Sequence, residues 1–239
     1  MNNLSNSSFI ISNRNFRRFF LVAIVLIAVD YSSFAQTQEI IVQNNYSLKF
    51  ISIDPFLDST VRNRMTEVFF TVYPKLTTEY NSNSLKEVTF FVDTAYNGVA
   101  EAGDGRVRFS HHWLRLHPGD IDVVTHEIMH IIQSYPDNAG PWWLTEGIAD
   151  YVRHRFGIDN KGGGWSLPDY LPSQSYTNGY RVTARFLVWV EHRHPGFVKK
   201  LDSAMRAQTY ELALWKNSTG KTIDELWKDY GLEPSGLDE

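Results

Sequence analysis

Three residues raise the chemical question: His126, Glu127 and His130, in the run V-V-T-H-E-I-M-H-I-I-Q from Val123 to Gln133. On an α-helix each residue advances about 100°, so positions four apart lie within roughly 40° of each other. His126 and His130 therefore leave one face and can hold one metal ion, with Glu127 beside them in reach of a water. This H-E-x-x-H spacing is a zinc-hydrolase signature. Two surface histidines on an amphipathic helix would give the same letters. The flanks argue against that reading, because Ile121, Val124, Ile128 and Ile131 form an apolar stripe on the opposite side. The segment reads as a packed helix with its histidine face turned to a cleft.

Catalytic zinc usually takes three protein ligands and keeps one open position. Candidates for the third ligand are Glu146, Asp150 and His154, which are spaced by four along a second helix, and less directly His111 or His112. A helix–loop–helix of this length can lay the second helix beside the first. Glu146 then reaches the metal. Asp150, one turn on, accepts the free ring N–H of a ligand histidine and fixes its tautomer. His111, His112 and His117 fall in a connection and share no helix face with the motif. The chemistry expected is hydrolysis of a carbonyl substrate, with zinc lowering the pKa of its water towards ~7 and Glu127 as general base. The oxyanion needs a further donor. Tyr176 and Tyr180, four apart at the start of a third helix, are the candidates.

Several elements must hold these groups. Residues 36–53 read as one extended segment. Asp54-Pro55 reads as a helix start, with Asp as N-cap and Pro at the first helical position. Val61, Met65, Val68, Phe69, Val72 and Leu76 follow helical spacing, and Pro74 should end or bend that helix. Lys86 to Asp93 is a strand by its Val, Thr and Phe content. Tyr96 to Ser110 reads as a hairpin turning at Gly103-Asp104-Gly105. The metal helix spans about 119–133 and the second about 142–156. Residues 157–175, with Gly162-Gly163-Gly164-Trp165, form a long loop suited to a cleft wall. The third helix is expected over 176–192. Two short helices follow, and Thr222-x-x-Glu225 is a capping box opening the last. The fold class is α+β, a small mixed sheet followed by a helical half.

The first 35 residues differ. Arg14, Arg17 and Arg18 precede the apolar run Phe19 to Val29, and Ser33-Phe34-Ala35 supplies small residues. This reads as a signal peptide cut near Ala35, too short in its apolar run to span a bilayer of ~30 Å. A secreted or periplasmic location follows, with no stable membrane insertion and one domain over 36–239, its core about 47–231. Without the leader the net charge goes from −4 to −6. Nothing in that balance suggests nucleic acid or an anionic membrane. The chain has no Cys, so disulfides and cysteine nucleophiles are excluded.

H-E-x-x-H with a Glu from the next helix resembles the gluzincin branch of zinc metallopeptidases. Glu146 followed by Asp150 is similar to the thermolysin-type arrangement, in which the Glu binds zinc and the Asp supports a ligand histidine. Tyr176-Thr177-Asn178-Gly179 resembles the Y-x-K-G element of zinc aminopeptidases, with Asn178 in place of Lys. That likeness puts Tyr176 in the oxyanion role and leaves Tyr180 as the alternative. More closely, V-V-T-H-E-I-M-H-I-I-Q, W-L-T-E-G-I-A-D-Y-V-R and G-Y-R-V-T-A-R-F-L-V-W resemble three blocks of the plant basic secretory protein family. The acidic balance departs from "basic". The resemblance implies a zincin-like metallopeptidase domain with one Zn2+ on His126, His130 and Glu146. It also implies a peptide or protein substrate, and a cleft flanked by the strand Arg106–Ser110 as an edge. Endopeptidase is preferred over aminopeptidase. A second reading is a retired zincin scaffold that binds cell-wall polymer or protein through its tryptophans. The complete set of His126, Glu127, His130 and Glu146 opposes it.

Overall fold

The computed structural model describes residues 36–234. The expected signal peptide, residues 1–35, lies outside them.

Residues 36–53 form two strands, β1 (Thr37–Gln43) and β2 (Tyr46–Ser52). Asn44 and Asn45 both take positive φ, 51° and 68°, which makes a tight hairpin turn with Gln43 opposite Tyr46. The single extended segment expected is thus a hairpin, and the Asn-Asn pair was its signal. Helix α1 (Ser59–Glu79) follows, capped by Asp58, whose side chain accepts from Thr60 N. Asp54 is not the cap. It is buried in a local turn, where its Oδ1 accepts from Phe56 N at 2.9 Å. Pro74 lies inside α1, and the helix continues past it by a further turn. The Pro74 carbonyl accepts from the hydroxyls of Thr77 and Thr78 at 2.9 Å.

Three further strands complete one sheet: β3 (Glu87–Asp93), β4 (Ala100–Gly103) and β5 (Arg106–Ser110). The order is β1-β2-β3-β5-β4, with β2/β3 and β3/β5 parallel and the outer pairs antiparallel. β5 is therefore interior, and the strand at the cleft edge is β4. The hairpin β4–β5 was legible, but which arm lies outermost depends on β3 pairing with β5. Alternate residues Leu48, Phe50, Val88, Phe90, Val107 and Phe109 are buried on the face that meets α1.

The second half is helical: α2 (His111–Leu116), α3 (Val123–Gln133), α4 (Trp142–Phe156), a 3-10 turn (Tyr176–Asn178), α5 (Tyr180–Arg193), α6 (Phe197–Arg206), α7 (Ala213–Thr219) and α8 (Ile223–Leu232). The third helix expected over 176–192 is interrupted. Gly179, at φ 74°, separates the 3-10 turn from α5. A Cβ there would come within 2.6 Å of the Trp142 ring, so both the dihedral and the close approach require glycine. α3 packs between α1 and α4, and α4 lies against α5. Gly147 allows that last approach, since a Cβ on it would meet Thr183 Cγ2 at 2.3 Å. The capping box at Thr222 and Glu225 forms as expected.

Candidate metal centre

α3 is buried on nearly every side, with Ile128, Met129 and Ile132 fully in the core. Only the His126–His130 side opens, into a cleft of about 1170 Å³ lined also by β4, α4 and the start of α5. Three potential ligand atoms converge there. His126 Nε2 lies 3.2 Å from His130 Nε2 and 3.2 Å from Glu146 Oε2, and His130 Nε2 lies 3.6 Å from that same oxygen. Tetrahedral zinc with bonds of about 2.0–2.2 Å separates its ligand atoms by roughly 3.3–3.6 Å, so the triangle has the right size. These three residues are the one such group among the described residues. His154 lies two turns along α4 and is outside it, as are His111, beside Asp54 at 3.5 Å, and His117, stacked on Trp113.

Each histidine is fixed by its other nitrogen. His126 Nδ1 meets Asp150 Oδ1 at 2.7 Å, and Asp150 is itself buried. His130 Nδ1 meets Gln133 Oε1 at 2.7 Å, and Gln133 Nε2 donates to the Thr145 carbonyl at 2.9 Å. With Nδ1–H donated in both cases, Nε2 is the nitrogen that each ring turns to the centre. Sequence reasoning named Asp150 but missed Gln133. Its signal was the i, i+3 spacing from His130, which places both on one side of α3. Gln133 also ties the end of α3 to the residue before Glu146.

The electrostatics favour a positive charge between these groups. Burial opposes a charged His126, but the bonds to Asp150 and Glu146 outweigh it and push its pKa up to about 10. Burial likewise raises Glu146, yet the two imidazoles pull it down to about 2. Beside them Glu127 is 5% exposed, and its Oε2 is buried with no hydrogen-bond partner among the described residues. Burial raises the Glu127 pKa, with the neighbouring histidines pulling the other way. A buried carboxylate oxygen with no partner on the wall of a polar cleft has the capacity to accept a hydrogen bond or a proton.

The two tyrosines separate. Tyr176 packs against Trp143, Phe186 and Trp227, and its hydroxyl donates to Asp224 Oδ1 at 2.8 Å. It does not line the cleft. Tyr180 does, with its ring 6.2 Å from that of His126 and the planes 18° apart. Burial, then Glu146, Asp150 and Glu127, raise the Tyr180 pKa, so it keeps its proton at neutral pH. The break at Gly179 and Tyr180, both at positive φ, is what turns these two side chains apart.

The chain matches the family described as BSP, peptidase of plants and bacteria, over residues 30–230. It belongs to that family. A comparison with curated proteins gives no match. Among solved structures, aminopeptidase A from Legionella pneumophila, in complex with aspartic acid, is similar with a TM-score of 0.57 at 15% identity. The match covers 82% of this chain and 28% of that one. A mutant two-domain M1 zinc metallopeptidase bound to L-tryptophan gives 0.51 at 13%, covering 86% and 52%. An aminopeptidase N family protein from Idiomarina loihiensis gives 0.50 at 10%, covering 85% and 48%. The BSP chain thus spans about half or less of these structures, and the likeness is one of fold.

Proposed function

We propose that this BSP-family peptidase is an exported zinc endopeptidase. The observation that carries the reading is the convergence of His126 Nε2, His130 Nε2 and Glu146 Oε2 beside the unbonded Glu127 Oε2. Zinc held by those three residues would polarise a scissile carbonyl and bring the pKa of a bound water towards ~7. Glu127 takes the proton of the attacking water and returns it to the leaving nitrogen. The Tyr180 hydroxyl donates to the carbonyl oxygen as negative charge develops there. Asp150 and Gln133 keep the two imidazoles in the Nδ1–H tautomer. The strand β4 offers its free edge to an extended peptide by backbone hydrogen bonds.

Endopeptidase is preferred on the sequence, where no residue marks a site for a substrate α-amine. Glu101 on β4 lines the cleft and pairs with Arg108 at 3.1 Å at an exposed position, so the choice rests on the blocked-peptide test below. Export rests on Arg14, Arg17 and Arg18 ahead of the apolar run. N-terminal sequencing of the released protein should begin near Gln36.

The test uses purified protein and an N-acetylated peptide library. About one zinc per chain is expected, with cleavage of blocked peptides. Glu127→Gln should retain the zinc and the circular dichroism spectrum while losing roughly 10²–10⁴ in rate. A Glu127→Gln variant as fast as the wild type would sink the mechanism. Cleavage confined to peptides with a free N-terminus would sink the endopeptidase reading.

A further inference from the structure

Beyond the zinc ligands, the cleft is lined by Glu101 and Asp104 on the side of β4 and by Arg153, Trp165 and Arg181 on the side of α4 and α5. The two arginines differ. Arg153 is buried, paired with Asp120, and donates to Asn160 Oδ1 at 3.1 Å. Its guanidinium lies 4.5 Å from the Trp165 ring centroid, so it holds the 157–165 loop in place as a wall. The same loop is pinned to the start of α3, where Asp122 accepts from Ile158 N and Asp159 N. Arg153 is thus committed to structure.

Arg181 is not. Among the described residues it forms no ion pair, and its hydrogen bond, to the Ser166 carbonyl, is long at 3.4 Å. It sits in the first turn of α5, where the helix dipole disfavours a cation, so α5 gains nothing from it. It follows Tyr180 directly, and Tyr180 stacks over His126. Neighbouring Cα atoms are about 3.8 Å apart, close to the rise of one residue in an extended peptide. Glu127, Glu146 and Asp150 also line this region and Arg153 is already paired, so Arg181 is the exposed cation of the lining that can meet a substrate carboxylate.

We infer that Arg181 is a specificity-determining residue that pairs with a substrate carboxylate one or two residues from the bond cleaved, against the wall formed by Trp165. This rests on the peptidase reading above. The carboxylate has two possible sources, an Asp or Glu side chain or the C-terminus of a short peptide. Both present the planar acceptor pair that a guanidinium matches in a fork.

The experiment uses four peptides of one sequence, with Glu or Gln beside the scissile bond and a free or amidated C-terminus close to it. Their kcat/KM values are measured with wild type, Arg181→Gln and Arg181→Glu. Binding of the same peptides to zinc-loaded Glu127→Gln, with and without Arg181→Gln, is measured by calorimetry. Wild type should favour a carboxylate about tenfold or more. The Glu/Gln pair reports a side-chain source and the acid/amide pair a terminal one. Arg181→Gln should bring the ratio near one, and Arg181→Glu should invert it, so that the Gln or amidated peptide becomes the better substrate. Equal kcat/KM for all four peptides with wild type would overturn the inference. So would a preference that survives in Arg181→Gln. If no peptide is cleaved, the peptidase reading fails. The carboxylate inference is then decided by binding alone: a preference lost with Arg181 upholds it, and equal binding overturns it.

Discussion

Tyr180 lies over His126 with ring centroids 6.2 Å apart and planes 18° apart, while Tyr176, four residues earlier, donates its hydroxyl to Asp224 at the far side of the 3-10 turn. Two consecutive left-handed residues, Gly179 at φ 74° and Tyr180 itself at φ 47°, send the two side chains in different directions. The two phenols therefore differ in what their loss would do.

Tyr180→Phe should lower kcat by roughly 10²–10³ with little change in KM, as expected for one lost oxyanion donor. Tyr176→Phe should leave kcat within a few fold and lower the melting temperature, since it removes one hydrogen bond of about 1 kcal/mol. Steady-state kinetics on both variants checks this. A larger kcat loss in Tyr176→Phe than in Tyr180→Phe would reverse the assignment.

Asp150→Ala and Gln133→Ala should each weaken zinc binding about 10–100-fold, because each removes the partner that orients an imidazole. Competition with a chelator measures it. Gln133→Ala should be the more informative of the two, since Gln133 also holds the Thr145 carbonyl next to Glu146. An unchanged zinc affinity there would mean that packing alone orients His130.

Arg206 anchors the end of α3. It donates to the Ile132 and Gln133 carbonyls at 3.1 and 3.0 Å and pairs with the fully buried Asp202. Arg206→Ala leaves that carboxylate buried and unpaired, at a cost of about 3–5 kcal/mol. Replacing both residues, Arg206→Met with Asp202→Leu, should recover part of the loss. Denaturant unfolding of the three variants gives the comparison, and a double variant weaker than the single one would contradict it.

Gly147→Ala puts a methyl group where Thr183 Cγ2 already stands, 2.3 Å from the new Cβ. Overpacking of this kind costs about 1–3 kcal/mol, despite the better helix propensity of Ala. The displaced α5 carries Tyr180, so kcat should fall along with the melting temperature. A more stable Ala variant would show that α5 yields freely.

Asp93 links stability to pH. Burial pushes its carboxyl up, but the Ala95 amide and Arg108 outweigh burial and hold it below the usual carboxylate value of 3.8. With the folded pKa depressed, its contribution is present above about pH 4 and is lost as pH falls through the folded value. Asp93→Asn should lower the melting temperature at pH 7 by more than it does near pH 2. Equal destabilisation at both values would point to packing rather than charge.

Much of the centre could be read before the fold was known, because it depends on short-range geometry. The separation of His126 from His130 is set within one helix turn, and Glu146 to Asp150 likewise. A loop of the length seen between them lets α4 return beside α3. Gln133 obeys the same local rule and was overlooked because glutamine is not itself a metal ligand. The Asn44-Asn45 turn was also legible, but two apolar runs separated by two residues were read as one.

Other decisions are nonlocal. Tyr176 and Tyr180 share a helical spacing in the sequence, and the left-handed backbone at Gly179 and Tyr180, with Gly179 packed close against Trp142, breaks it. β4 is the cleft edge because β3 pairs with β5 in parallel, a contact that no property of the hairpin dictates. The sequence by itself determined the residues that can share one metal ion, since helix pitch is a property of the backbone. The tertiary structure decided which hydroxyl and which strand face that centre, since those depend on how distant segments fit together.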